Sequence, residues 1–458
     1  MITDTIAAIS SAMSPSGIGI IRISGSESMD IIEKIYRSKN GKKKIRNAAS
    51  HTIHYGFIAD GDTVIDEVLV MIMNGPRTYT GEDTVEINCH GGILSMKKVL
   101  ETVIKYGARP AEPGEFTKRA FLNGKLDLSQ AEAVMDVISA KNEYALKSSL
   151  SQLKGSVQKS IKEIREKIIY HIAYIESALD DPEHISIDGY GESLKEDMIP
   201  VKRKIEHLLK SADEGKMIHE GIKTVILGKP NAGKSSLLNL LVGEEKAIVT
   251  DIAGTTRDIL EENIILQGIS LRMIDTAGIR ETEDTVEKIG VDRAKASAED
   301  ADMILYVVDA SVSLDDNDKE IIDLLKNKKA VVLLNKSDLT TVVNENSLKE
   351  MIDAPVLWIS AKEEKGMEAL ENTIKELFFT GEIDFNDEVY ITNIRHKAAL
   401  MDVKNSLELV FNSIEMGMPE DFFTIDLMSA YESLGSIIGE SVGEDLVNEI
   451  FSKFCTGK

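Results

Sequence analysis

The sequence predicts a multidomain chain of mixed α/β and α+β class. It comprises an N-terminal α+β domain, a discontinuous all-α domain, and an α/β domain with a mostly parallel sheet inserted between the two helical parts. Three observations predict this. The chain has 458 residues, about three times the size of an ordinary folding unit. Its apolar pattern changes period twice, from strand-like alternation to helical spacing near residue 127 and from that to short apolar strands near Gly221. Helical spacing then returns after Gly381.

Within residues 1–122, stretches of β type at 18–24, 68–73 and 84–88 alternate with helical patterns near 27–37 and 93–106, as an α+β domain requires. Residues 123–219 form the first helical part. From Leu146 to Leu179, apolar residues recur at steps of three or four, which predicts one long amphipathic helix. It should stop at Asp181-Pro182, since proline disfavours helix in the residue before it, and a second run should cover 192–214. Residues 220–380 alternate apolar strands with helices, the pattern of a parallel sheet. Exposed connections near 215–221 and 379–385 should join this domain to the body. Residues 381–458 supply helices at 394–416, 425–438 and 446–454 and end in the tail Cys455-Thr456-Gly457-Lys458.

Composition narrows the class. With 43% hydrophobic and 28% charged residues the chain is globular rather than disordered. No apolar run has the length to cross a bilayer, and the opening Met1-Ile2-Thr3-Asp4 lacks the basic region of a secretory signal. A cytoplasmic protein without a membrane partner is expected. Cys89 and Cys455 are too few for a disulfide framework and lack zinc spacing. A net charge of −24 repels polyanions, so any RNA contact must be local. The basic run at 42–46 reads as a solvated loop, and His90 beside two glycines as a turn or packing residue.

The inserted domain carries the most specific chemistry. An apolar strand at 223–227 runs into Gly228-Lys229-Pro230-Asn231-Ala232-Gly233-Lys234-Ser235 and then into a helix opening at Ser236. This is a phosphate-binding loop in its strand–loop–helix setting. Backbone N–H groups cradle the β-phosphate, Lys234 meets the β and γ groups, and the Ser235 hydroxyl ligates Mg²⁺. Asn335-Lys336-Ser337-Asp338 follows a second apolar strand, and its aspartate can accept from N1–H and the amine of guanine, which adenine cannot offer. Ser360-Ala361-Lys362 matches the loop that supports the base. Asp275, in Asp275-Thr276-Ala277-Gly278, can hold the Mg²⁺ shell, and the Gly278 amide can sense the γ-phosphate, with a further hydroxyl from Thr255 or Thr256. A Ras-like P-loop domain that binds and hydrolyses GTP follows. Ile279, where a small GTPase has glutamine, cannot orient water, so another group must.

The run Gly254-Thr255-Thr256-Arg257-Asp258, the missing glutamine and the nested helices together resemble the MnmE (TrmE) tRNA-modification GTPase family. So do residues 19–25, 79–83, 90–92, 113–117, 121–128 and 455–458. This resemblance implies a K⁺ ion held by Asn231, Thr250, Ile252 and Thr255, in a loop that also includes Asp251 and Ala253. Thr256 would join Ser235 on Mg²⁺, and Glu287 would orient the water. It implies a homodimer and an N-terminal domain binding a 5-formyltetrahydrofolate-type ligand through Arg22, Glu82, Lys125 and Lys458. Cys455 matches the family's candidate nucleophile, although only Lys453 and Lys458 stand near it in sequence to favour a thiolate. The implied role is addition, with the FAD-binding partner MnmG, of an aminomethyl or carboxymethylaminomethyl group to C5 of the wobble uridine of tRNA. A ribosome-assembly-type GTPase switch is the alternative, but it usually carries a basic RNA-binding module, absent from this acidic chain.

Overall fold

The computed structural model describes residues 4–39, 45–244, 262–266, 268–274, 296–326, 328–378, 390–440 and 442–457. Two compact units emerge: Met1–Met135 with Gln152–Glu192 and Ser406–Lys458, and Asp136–Ser151 with Ser193–Asn405.

The first unit is built on a seven-stranded sheet of β1 (Ile6–Ile9), β2 (Gly19–Ser24), β3 (Tyr36–Ser38), β4 (Thr52–Asp60), β5 (Thr63–Met73), β6 (Thr84–Cys89) and β7 (Arg109–Pro110), in the order β3-β4-β5-β6-β2-β1-β7. Pairing is antiparallel except between β1 and β7. The two-residue period of a strand decides its faces. Ile21 and Ile23 of β2 enter the core with Val70, Ile72, Val85 and Ile87, beneath helices Ser28–Ile35 and Ile93–Lys105. Arg22 and Ser24 therefore share the opposite face, in register with Glu86 and Thr84 of β6.

The helix expected across 146–179 is two, Glu143–Leu153 and Ser156–Asp180. Gly155 separates them at φ 93°, a left-handed conformation that glycine adopts without penalty. The apolar repeat continues through the break, so periodicity alone does not show it. Helix Ser156–Asp180 packs along Glu420–Ile438. There the Arg165 guanidinium lies 3.9 Å from the Tyr431 ring centroid and pairs with Glu440. Helices Ile394–Glu415, Glu420–Ile438 and Glu444–Ser452 coincide with the three runs expected near the C-terminus.

The second unit holds a six-stranded sheet of β8 (Ile222–Leu227), β9 (Glu262–Leu266), β10 (Ile269–Met273), β11 (Met303–Asp309), β12 (Lys329–Asn335) and β13 (Val356–Trp358), ordered β13-β12-β11-β8-β10-β9. It is parallel apart from the β9–β10 hairpin. β11 and β12 are buried along nearly their whole length, which is why they read as continuous apolar runs. One expectation is corrected: the junction near 215–221 is packed, not exposed. Helix Tyr190–Glu220 reaches Gly221 and passes directly into β8, with Ile218 buried in the same core as Ile222 and Leu271. Met217 and Ile218 extend the apolar face of the helix up to the strand. The junction expected at 379–385 lies outside the described residues.

Candidate functional site

β8 delivers the chain into the loop of residues 228–235, and helix Lys234–Glu244 starts within it. Gly233 sits at φ 102°, and a Cβ there would overlap Asn335 Nδ2. Only glycine allows this approach. Asn231 adopts φ 61°, uncommon for a residue with a side chain. Lys234 Nζ donates to the carbonyls of Gly228 (2.7 Å) and Lys229 (2.8 Å), and burial lowers its pKa.

The other wall comes from the ends of β12 and β13. Asn335 is 2% exposed; its Nδ2 donates to Ala232 O at 2.8 Å while its Oδ1 accepts from the Ala361 amide at 3.1 Å. One side chain thus ties the loop of residues 228–235 to the loop of Ser360-Ala361-Lys362. Asp338 accepts from the Ser360 hydroxyl at 2.7 Å, which holds its carboxyl below the usual range. Lys336, at φ 63°, pairs with Asp309 at 2.5 Å.

In the first unit a second constellation forms on the face of β2 opposite the core. Arg22 Nε donates to Glu86 at 2.8 Å, and its guanidinium lies 5.8 Å from the Tyr79 ring centroid and 5.6 Å from that of Phe116. Glu82 accepts from the Ser24 hydroxyl at 2.8 Å and from Arg119 Nη1 at 3.2 Å. Lys125 Nζ donates to Pro76 O at 3.1 Å, and Asn123 donates to Thr80 O at 2.8 Å. The C-terminal tail reaches the same place: Gly457 O lies 3.5 Å from Arg22 Nη1, and the Cys455 carbonyl accepts from the Gly114 amide.

Two family models match the chain, that of the MnmE helical domain over residues 128–455 and that of the GTP-binding protein TrmE N-terminus over residues 5–125. The tRNA modification GTPase MnmE of Lachnoclostridium phytofermentans is 59% identical over 458 residues, covering 100% of both chains. That of Acetivibrio thermocellus is 50% identical over 458 residues, covering 99% of each, and that of a Thermoanaerobacter species 49% over 461 residues, covering 100% of each. The chain belongs to the MnmE family of tRNA modification GTPases.

For this MnmE-family chain, the structure gathers the phosphate-loop residues with Asn335, Ser360 and Ala361 into one site. Arg22, Glu82 and Lys125 gather around the loop at 79–82. Thr250 to Thr256, Asp275 to Gly278, Glu287 and Lys458 lie outside the described residues. Cys455 is exposed, and Lys453 is paired with Glu449 at 3.4 Å. Among the described residues, no group of three His, Cys, Asp or Glu side chains is placed to hold a metal ion, and no helix is long and apolar enough to cross a membrane.

Sequence reasoning missed Arg119. It is fully buried and reaches Asp4 (2.9 Å), Glu82 (3.2 Å) and Glu115 (3.0 Å). A signal existed: in helix Glu115–Leu122, Arg119 follows Phe116 by three and Glu115 by four, which places it on the buried stripe beside an acid. Tyr79 and Phe116 were visible only as parts of family signatures; their work is to flank Arg22.

Proposed function

We propose that this chain is a potassium-dependent GTPase that works with the FAD-binding partner MnmG. Together they add an aminomethyl or carboxymethylaminomethyl group to C5 of the wobble uridine of certain tRNAs. The observation that carries this reading is the phosphate loop joined through Asn335 to the base-supporting loop, in a chain matching a tRNA modification GTPase along its whole length.

In this reading Lys234 meets the β- and γ-phosphates, and Ser235 and Thr256 hold Mg²⁺. Asp338 reads guanine, and Ser360, Ala361 and Lys362 support it. Asn231, Thr250, Ile252 and Thr255 hold K⁺, whose charge would offset that developing between the phosphates. Asn231 stands at a left-handed φ of 61° within the loop, three residues ahead of helix Lys234–Glu244. Glu287 orients the attacking water, since Ile279 cannot hydrogen-bond.

The N-terminal cluster suits a folate-type ligand. The exposed Tyr79 ring beside the Arg22 guanidinium offers a stacking surface for a flat heterocycle, and Glu82 with Lys125 and Lys458 offers acceptor and donors for its polar edges and carboxylates. When bound, a folate of the 5-formyl type supplies the one-carbon unit. The protein would act as a cytoplasmic homodimer. Cys455 stands at the tail that meets this cluster and is proposed as a nucleophile there.

Mass spectrometry of tRNA nucleosides from cells lacking the chain tests the whole reading: unmodified wobble uridine is expected, and an unchanged nucleoside profile sinks it. GTP turnover should be faster in potassium than in sodium at equal ionic strength. Equal rates would remove K⁺ from the site.

A further inference from the structure

Position 229 is open to any side chain in a phosphate loop, because the loop's chemistry is carried by its backbone, Lys234 and Ser235. Here it is a lysine whose charge is turned away from the loop into a built acidic socket. Lys229 Nζ lies 2.6 Å from Asp318 Oδ2 and 2.9 Å from Asp315 Oδ2. Asp318 is 1% exposed, and its other oxygen accepts from Tyr306 OH at 2.7 Å, itself wholly buried in β11. The Asp315 amide also donates to Asp318 Oδ2, at 2.9 Å.

Part of this is helix capping: Asp315 and Asp318 form a capping box at the start of helix Asp316–Leu325. Capping explains the two aspartates but neither the lysine nor the tyrosine hydroxyl. Burying a carboxylate and a hydroxyl is costly unless each is satisfied, and beyond the Asp315 amide it is Lys229 and Tyr306 that complete the set among the described residues. Lys229 is also the residue whose carbonyl, with that of Gly228, accepts Lys234 Nζ. Its backbone thus sets where the phosphate-binding ammonium rests, and it stands two residues before the left-handed Asn231.

We propose that Lys229, Asp318 and Tyr306 form a latch that fixes the phosphate loop in its nucleotide-ready shape, making Lys229 a positioning residue for GTP binding rather than a phosphate ligand. The latch rests on the reading of residues 228–235 as the GTP site. Its energy is stored before nucleotide arrives, as preorganisation of the loop. Without the latch the loop samples other shapes, and nucleotide must select the competent one.

The test is a titration of the full-length protein with N-methylanthraniloyl-GDP, run beside thermal melting and GTP turnover. Lys229→Met should weaken binding about tenfold, within the range for coupled neighbours. KM for GTP should rise by more than kcat falls, and the melting temperature should also fall, because buried Asp318 keeps the Tyr306 hydroxyl and the Asp315 amide but loses its countercharge. Lys229→Arg, which can reach the same carboxylates, should restore most of the affinity. Asp318→Asn made in the Lys229→Met background should cost little further affinity. A full additional loss would mean that Lys229 acts by its own charge on the phosphates and would overturn the latch, as would unchanged affinity in Lys229→Met or failure of the arginine rescue. If the unaltered protein bound no nucleotide, the reading of the loop itself would fail, a result separable from all of these.

Discussion

Replacing Arg119 with methionine tests whether the buried arginine holds the N-terminal cluster in place. Methionine keeps most of the volume and removes the charge, so the cost is that of stranding carboxylates. The three acids do not share it equally. Asp4 has a side chain 44% exposed and keeps a 2.7 Å bond from Arg109, so water and that arginine restore it. Glu115, 8% exposed, keeps two bonds from Arg109 at 2.7 and 3.1 Å and the Glu112 amide at 2.8 Å. Among the described residues, Glu82, 17% exposed, keeps only the Ser24 hydroxyl. The uncompensated charge is therefore one carboxylate, which puts the loss at about 3 kcal/mol, the low end for breaking a buried pair. For a cooperative unit of this size that is a fall in melting temperature of roughly 6–12 °C. Differential scanning calorimetry measures it. Adding Glu82→Gln to the Arg119→Met background should recover most of the loss, whereas adding Asp4→Asn should recover little. A loss below about 1 kcal/mol, or equal recovery by both, would refute the claim that Arg119 chiefly anchors Glu82.

Further outcomes follow from single contacts. Gly233→Ala should raise the Kd for GDP by more than about a hundredfold, since a Cβ there collides with Asn335 and the left-handed φ is lost; binding by fluorescence titration within tenfold of the parent would show that the loop tolerates another shape. Glu287→Ala should abolish turnover while nucleotide binding persists, and surviving turnover would place the water elsewhere. His90 is bonded to Asp66 at 2.7 Å, which raises its pKa above the ordinary 6.5. The bond's stabilisation is therefore present below pH 6.5 and lost as pH rises through the raised value. An NMR titration should show this midpoint, and an Asp66→Asn variant with the same midpoint would dismiss the pair.

How much of this was legible in the sequence depended on how far apart the cooperating residues lie. The phosphate loop was readable because one strand, one turn and one helix start hold all its parts, so spacing along the chain is spacing in space. The positions of the loops at 335–338 and 360–362 were readable because each follows an apolar strand of a parallel sheet, where ligand-binding loops collect. The N-terminal cluster was not. Arg22, Tyr79, Glu82, Phe116, Lys125 and Gly457 meet only because β2 pairs with β6 and the tail returns to β1, and no local pattern encodes that return. The same limit explains the latch: Lys229 and Asp318 are separated by the whole of β11 and more, and each alone is an ordinary charge on the sequence. Arg119 sits between these cases, since its acid partner lies four residues earlier and its apolar neighbour three residues earlier in the same helix. Burial of a charge is thus foreseeable where helical period places it on the inner stripe, and it passes unseen where the partners arrive from distant strands.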